Sequence, residues 1–286
     1  MGWCAGDHVI LRWTGHRDWV DEHEEKSRTG TFDEKPGLLQ GWPHVVVADR
    51  DDLLVLWMPT GTDTQMRDLS DPEREMLRGG GGWRKDSLRL MFPGKRYSVS
   101  FDWPPDPERE FPMGRGRDLY KEDRQSGDER YRNQRSRPYE RVPAHTLLRY
   151  DVNLHAPFVR TPIGIDTTHS SMHVVVAPDL TWHWKGAEGG WAGRLNEDAL
   201  RILMDLDIYT AEDVEQFRVA GREMIAMVEA RRFPFDGSYL DWQPPAEWTI
   251  PTAPDGWDVI PGYDFNHTTG RRIGGIDHER LKQPTF

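Results

Sequence analysis

Cysteine is nearly absent: Cys4 is the only one in 286 residues. That excludes an intrachain disulfide and any zinc site built on thiolates, and it fits a reducing cytoplasm. Long apolar runs are missing as well. No stretch approaches the roughly 18 consecutive apolar residues of a membrane helix, and residues 1–13 lack the basic start and apolar run of a secretory signal. The expectation is a soluble, cytoplasmic protein. Positive charge is in deficit, with 37 Lys and Arg against 48 Asp and Glu and a formal net charge of −11. A surface of that sign repels a phosphate backbone and argues against nucleic-acid partners. A small anionic ligand remains compatible, because a cation in the site can reverse the local field. The usual short catalytic signatures are missing too: there is no Gly-x-Ser-x-Gly elbow and no His-Glu-x-x-His. Gly79 to Gly82, followed by Trp83-Arg84-Lys85, lacks the Gly-Lys-Ser/Thr of a phosphate loop and reads as a helix stop. Tryptophan, in contrast, is plentiful at 13 residues, which points to aromatic packing in the core.

The first two thirds read as short strands divided by turn chemistry. Residues 9–13 form one. Residues 45–48 and 53–58 flank the polar tetrad Asp49-Arg50-Asp51-Asp52, and residues 88–91 and 97–101 flank Pro93-Gly94. Residues 146–154 make another, and 172–177 with 181–185 flank Pro178-Asp179. Three segments break this rhythm: a charged stretch at 15–41, a short helix at 70–78, and the nearly aliphatic-free 104–143. The last cannot bury enough apolar surface to offset its ordering entropy and reads as a solvated or disordered insertion. After Trp191 the period becomes helical. Asn196 caps residues 197–205, and Thr210-Ala211-Glu212-Asp213 is a capping box opening a helix with Val214, Phe217, Met224, Ile225 and Val228 on one face. Gly221 shares that face, where it serves either close approach to the sheet or nothing. Residues 236–286 read as an irregular tail rich in Pro, Gly and Trp. The expected fold is mostly β with α, an antiparallel barrel or sandwich occupying 1–190, with helices at 191–235 belonging to the same domain.

The stretch from Tyr150 to Lys185 carries the chemistry. Asn153-Leu154 with Pro157-Phe158, the Ile165-Asp166-Thr167 turn, the 174–179 strand and turn, and 182–185 follow one another in an order that resembles the FomD-like family, also called domain of unknown function 402. Residues 53–62, 6–12 more weakly, and 222–235 resemble it too. The chain looks like a divergent actinobacterial-type member. The resemblance covers about 9–62, 83–103 and 144–235, and it implies a twisted antiparallel β-barrel with C-terminal helices packed against it. It also implies hydrolysis of phosphoanhydride or related bonds in nucleotides, assisted by Mg or Mn. Oxygen ligands suit such hard cations, and paired ions can polarise a phosphoryl group and activate water.

The resemblance also shows where this chain departs. The acidic positions that alternate along the family's metal-binding strand fall here on His169, Ser171 and His173, and the following acidic cluster falls on residues 186–190, where only Glu188 is acidic. Asn153 survives. The implied metal set is therefore Asn153, His169, Ser171, His173 and Glu188, altered or weakened. His169, Ser171 and His173 share one face by alternation, so they could instead begin a zinc site, with His183 on the next strand as a third nitrogen; or the pocket holds no metal. Arg17 and Lys185 are the implied catalytic residues, Tyr150, Arg160 and Lys185 the implied substrate contacts, and Asp166 a further anchor. Three readings stay open: a metal-dependent phosphohydrolase of a nucleotide or phosphorylated metabolite, a non-catalytic barrel relative that binds a ligand or partner in the same cleft, and a His-based metalloprotein. A small phosphorylated molecule is the expected partner.

Overall fold

The computed structural model describes residues 2–13, 40–66, 85–104, 146–167, 169–184, 204 and 210–257. The expected segments at 70–78, 104–143 and 197–205 lie, but for Pro104 and Met204, outside these, as does most of 15–41. Among the described residues eleven strands form one sheet: β1 His8–Trp13, β2 Gln40–Asp49, β3 Leu54–Met58, β4 Gln65–Met66, β5 Asp86–Met91, β6 Tyr97–Trp103, β7 Arg149–His155, β8 Val159–Thr161, β9 Gly164–Thr167, β10 His169–Val176 and β11 Trp182–Trp184. The hydrogen-bonded order is β11-β10-β7-β6-β5-β3-β2-β1-β9-β8, with β4 paired to β2.

Two expectations are corrected here. The described strands do not close into a barrel, since β11 and β8 end the order without pairing to each other. Nor is the sheet wholly antiparallel, because β9, read from the sequence as a turn, runs parallel to β1. The chain changes ladder at one junction: Thr167 ends β9 on β1, and His169, two residues on, begins β10 on β7. The sheet nevertheless curls. β1 and β7 are five steps apart in the order, roughly 24 Å if flat, yet the rings of Trp13 on β1 and His155 on β7 lie 6.0 Å apart.

Alternation along the strands sorts side chains onto two faces. The outer face carries Val55, Trp57, Leu88, Leu90, Val99, Phe101, Tyr150, Val152 and Val174, all buried. Helix α1, Ala211–Glu229, covers it with Val214, Phe217, Met224 and Val228. Each such side chain contributes roughly 1.5–3 kcal/mol when fully buried. Thr210 caps the helix as its sequence requires: the Thr210 hydroxyl accepts from the Asp213 amide, and the Asp213 carboxylate accepts from the Thr210 amide. Phe235, Tyr239, Trp242 and Trp248 extend the same apolar layer.

Gly221 has a definite task. A Cβ at that position would come within 2.1 Å of the Trp184 ring on β11. Alanine would favour the helix by about 1 kcal/mol but forces an overpacked contact worth up to about 3 kcal/mol. Gly221→Ala is therefore expected to lower stability by about 1–2 kcal/mol in urea denaturation. A gain in stability would show that the Trp184 ring simply swings aside.

Candidate functional site

The inner face of the sheet is apolar on one side and polar on the other. Val9, Leu11, Trp13, Val46, Leu54, Leu56, Met91, Phe158 and Ile165 form the apolar part. The polar part lies on β5, β6, β7 and β10 and follows the strand register. Arg89 faces Ser100, which faces Asp151. Ser98 faces Asn153, which faces His173. Ser87 faces Asp102, which faces Arg149. Directly opposed residues present their side chains on the same side, so these three rows form one continuous polar field. Nearly all of it is buried: Arg89 is 3% exposed, Asp102 1%, Asn153 5% and His173 7%. Arg149, with a side chain 40% exposed, marks where the field meets solvent.

Buried carboxylates persist only when paired and hydrogen-bonded, and these are. Asp102 accepts from Lys85 Nζ, from the Ser87 hydroxyl at 2.8 Å and from Arg149 Nε at 3.2 Å. Asp151 accepts from Arg149 Nη2 at 3.2 Å and bonds His173 Nδ1 at 2.8 Å. The amide of Asn153 donates to the Asp151 carbonyl at 3.3 Å. Arg89 lies 5.6 Å and 5.5 Å from the ring centres of Trp13 and Trp42. Burial pushes its guanidinium down to about 10, while Asp151 and Asp102 oppose that shift, so it stays charged near neutral pH. Among the described residues its Nε and the Ser100 hydroxyl have no hydrogen-bond partner. Unpaired buried donors are uncommon and call for a bound molecule or water.

This geometry bears on the divalent ion that the resemblance implies. Among the described residues, no group of three His, Cys, Asp or Glu side chains is placed to hold a metal. The two carboxylates of the field are taken up by lysine, arginine, serine and histidine donors, which is the environment of a paired anion and not of an open ligand set. Of the implied metal set, only the Asn153 and His173 side chains belong to the described residues.

The residues singled out from the sequence separate into groups. Asn153 and His173 stand side by side in the field. His169 pairs with His155 along the backbone, at the far end of β10. The side chains of His169 and Ser171, and all of Arg17, Lys185 and Glu188, lie outside the described residues. Tyr150 belongs to the opposite face, 2% exposed and edge-on to Phe101 and Phe235. Arg160 forms an ion pair with Asp49 and lies over the Trp3 ring at 4.8 Å, pinning the start of the chain. Asp166 sits in β9, with both carboxylate oxygens on Arg12 at 2.6 Å and 2.9 Å. His183, on β11, faces Val175 of β10.

Sequence reasoning overlooked Lys85, Arg89, Asp102, Arg149 and Asp151. The signal was there. Ser98, Ser100 and Asp102 alternate with Val99, Phe101 and Trp103, as Arg149, Asp151 and Asn153 do with Tyr150, Val152 and Leu154. That pattern ordinarily marks a strand with one face in water, whereas here the face is buried.

The fold is similar to two solved structures of other proteins. One is the phosphatase SC4828 with the non-hydrolysable nucleotide GPCP, at 21% identity over 91% of this chain and 100% of that one, with a TM-score of 0.60. The other is FomD in complex with CDP, at 18% identity over 86% of this chain and 96% of that one, with a TM-score of 0.54. No family model matches the sequence, and no curated protein matches it. At such identities the likeness establishes a shared fold. Among the described residues, no helix is long and apolar enough to cross a membrane.

Proposed function

We propose that this chain is a phosphohydrolase acting on a nucleotide or a nucleotidyl or phosphorylated metabolite, with an altered metal site. The observation that carries the reading is the buried polar field in which Asn153, His173 and Asp151 meet Arg149 and Arg89, on a fold shared with two proteins solved with nucleotides. Guanidinium groups suit phosphate oxygens because their fork of N–H donors matches an oxyanion. An imidazole held by a carboxylate is oriented for proton transfer near neutral pH. Asn153, His169, Ser171, His173 and Glu188 make up the altered shell of the site. Arg17 and Lys185 remain its candidate catalytic cations.

The test is phosphate release from nucleoside di- and triphosphates and from nucleotidyl esters, with Mg, Mn, Zn or EDTA. Turnover is expected with at least one substrate. Asn153→Ala should lower it by about 100-fold, the scale of losing one preorganised polar contact in a reacting centre. An Asn153→Ala protein with unchanged turnover would remove Asn153 from the site.

A second reading rests on its own observation: Asp102 is held by Lys85, Ser87 and Arg149, and Asp151 by Arg149 and His173. Carboxylates engaged in this way suit a binder that no longer reacts. In that case a nucleotide raises the melting temperature by mass action, and no phosphate is released with any ion.

A further inference from the structure

We infer that this chain grips the anionic end of its ligand with fixed side-chain cations, Lys85, Arg149 and Arg89, in place of a divalent metal. The inference rests on the phosphate-ligand reading above and adds how such a ligand is held. It starts from a charge count. Among the described residues the field contains three cations, Lys85, Arg89 and Arg149, and two carboxylates, Asp102 and Asp151. The carboxylates neutralise Lys85 and Arg149 by direct contact. Among the described residues Arg89 has no carboxylate as hydrogen-bond partner: its Nη1 donates to the Ser98 hydroxyl, at a long 3.4 Å, and its Nε to none of them. The carboxylates whose charge Arg89 feels, Asp151 and Asp102, are each shared with Arg149, so among the described residues the field carries one more cation than carboxylate, and a buried charge that is not fully balanced is costly.

Position supports the same conclusion. Arg89, Ser100 and Asp151 lie on one cross-strand row, so the two unpartnered donors, Arg89 Nε and Ser100 Oγ, neighbour the carboxylate that Arg149 holds. Arg149 and Lys85 are the partly exposed members, with side chains 40% and 18% accessible, and Arg89 is the buried one. Positive charge thus runs from the solvent edge inward. A phosphate oxygen accepts from such donors without a bridging ion, in charge-assisted bonds that strengthen away from water. A divalent cation placed among them would meet three like charges and two carboxylates already occupied.

The experiment uses the full chain with CDP and inorganic pyrophosphate as probes, followed by calorimetry and melting temperature, in EDTA and in Mn. Equal affinity in both conditions is expected. Arg89→Met and Arg149→Gln should each weaken CDP binding by about tenfold, the scale of losing one hydrogen bond to a charged group. Should Arg89→Met fail to fold, Arg149→Gln, a partly exposed position, carries the same test. Mn titration of the unaltered protein, read by electron paramagnetic resonance, should leave the ion free. Tight Mn binding, CDP binding that vanishes in EDTA, or no CDP or pyrophosphate binding in either condition would overturn the inference. Phosphate release separates the two claims. EDTA-resistant binding without release leaves the cation grip standing and removes the hydrolase; release only with Mn does the reverse.

Discussion

Asp166→Ala is expected to lower folding stability by about 3–5 kcal/mol, the range for breaking a buried ion pair from one side. Arg12 is 1% exposed and the Asp166 side chain 4%. Both carboxylate oxygens accept from the guanidinium, and Arg12 Nη1 donates to the Trp257 carbonyl at 2.9 Å. Arg12 and Asp166 are also directly opposed in the parallel pairing of β1 with β9. Alanine would leave the Arg12 guanidinium buried without its carboxylate, at the seam where the sheet changes ladder. That seam has little room to adjust: a Cβ on Gly164, two residues before Asp166, would fall 2.0 Å from the Ile10 carbonyl oxygen. Urea denaturation measures the loss. The double variant Arg12→Met with Asp166→Leu should recover most of it, since replacing a whole buried pair by apolar side chains is often neutral. A single-variant loss below about 1 kcal/mol would mean that Arg12 finds water, and the pair would then lose its structural role.

Acid is expected to have an effect of similar size through two buried histidines. Burial pushes His44 down to about 3, with the nearby Arg89 charge adding and a bond to the Trp42 carbonyl opposing. Burial likewise pushes His155 down to about 4; its bond to the Ala156 carbonyl opposes, and Arg89 and Arg96 add. In the unfolded chain both titrate near 6.5. Between those values the unfolded chain binds protons that the folded chain refuses, so stability rises with pH across this window. The stabilisation is fully present above about pH 6.5 and is lost progressively as pH falls toward the folded values. One pKa unit corresponds to about 1.4 kcal/mol, so the two together amount to several kcal/mol. Urea midpoints should fall between about pH 7 and pH 4.5, above the range where most carboxylates titrate. His44→Gln should flatten the slope. Midpoints that stay level over this range would mean that the imidazoles are hydrated in the folded state.

The local parts of this protein were legible in its sequence because local rules decide them. Thr210-Ala211-Glu212-Asp213 specified a helix start through contacts three residues apart. Pro93-Gly94 and the polar tetrad at 49–52 marked turns, and strands formed on either side of each. Tyr150, taken from the resemblance as a substrate contact beside Asn153, is one place where alternation along the strand, which sets Tyr150 and Asn153 on opposite faces, was passed over.

What surrounds those faces was another matter. Period two says that Asp102, Asp151 and Asn153 share a side of a strand, and says nothing of whether that side meets water. The curl of the sheet settled it, bringing Trp13 of β1 against His155 of β7 across 142 residues of chain. Asp166 looked like part of a turn because its partner, Arg12, is 154 residues away. Lys85 looked like the end of a glycine loop because Asp102 is a strand away. Such pairings are selected by competition among many burials and loop closures at once. Strand, turn and cap were therefore properties of the sequence by itself, and the buried field of charge belonged to the tertiary structure, because an ion pair between distant residues exists only after the sheet has brought them together.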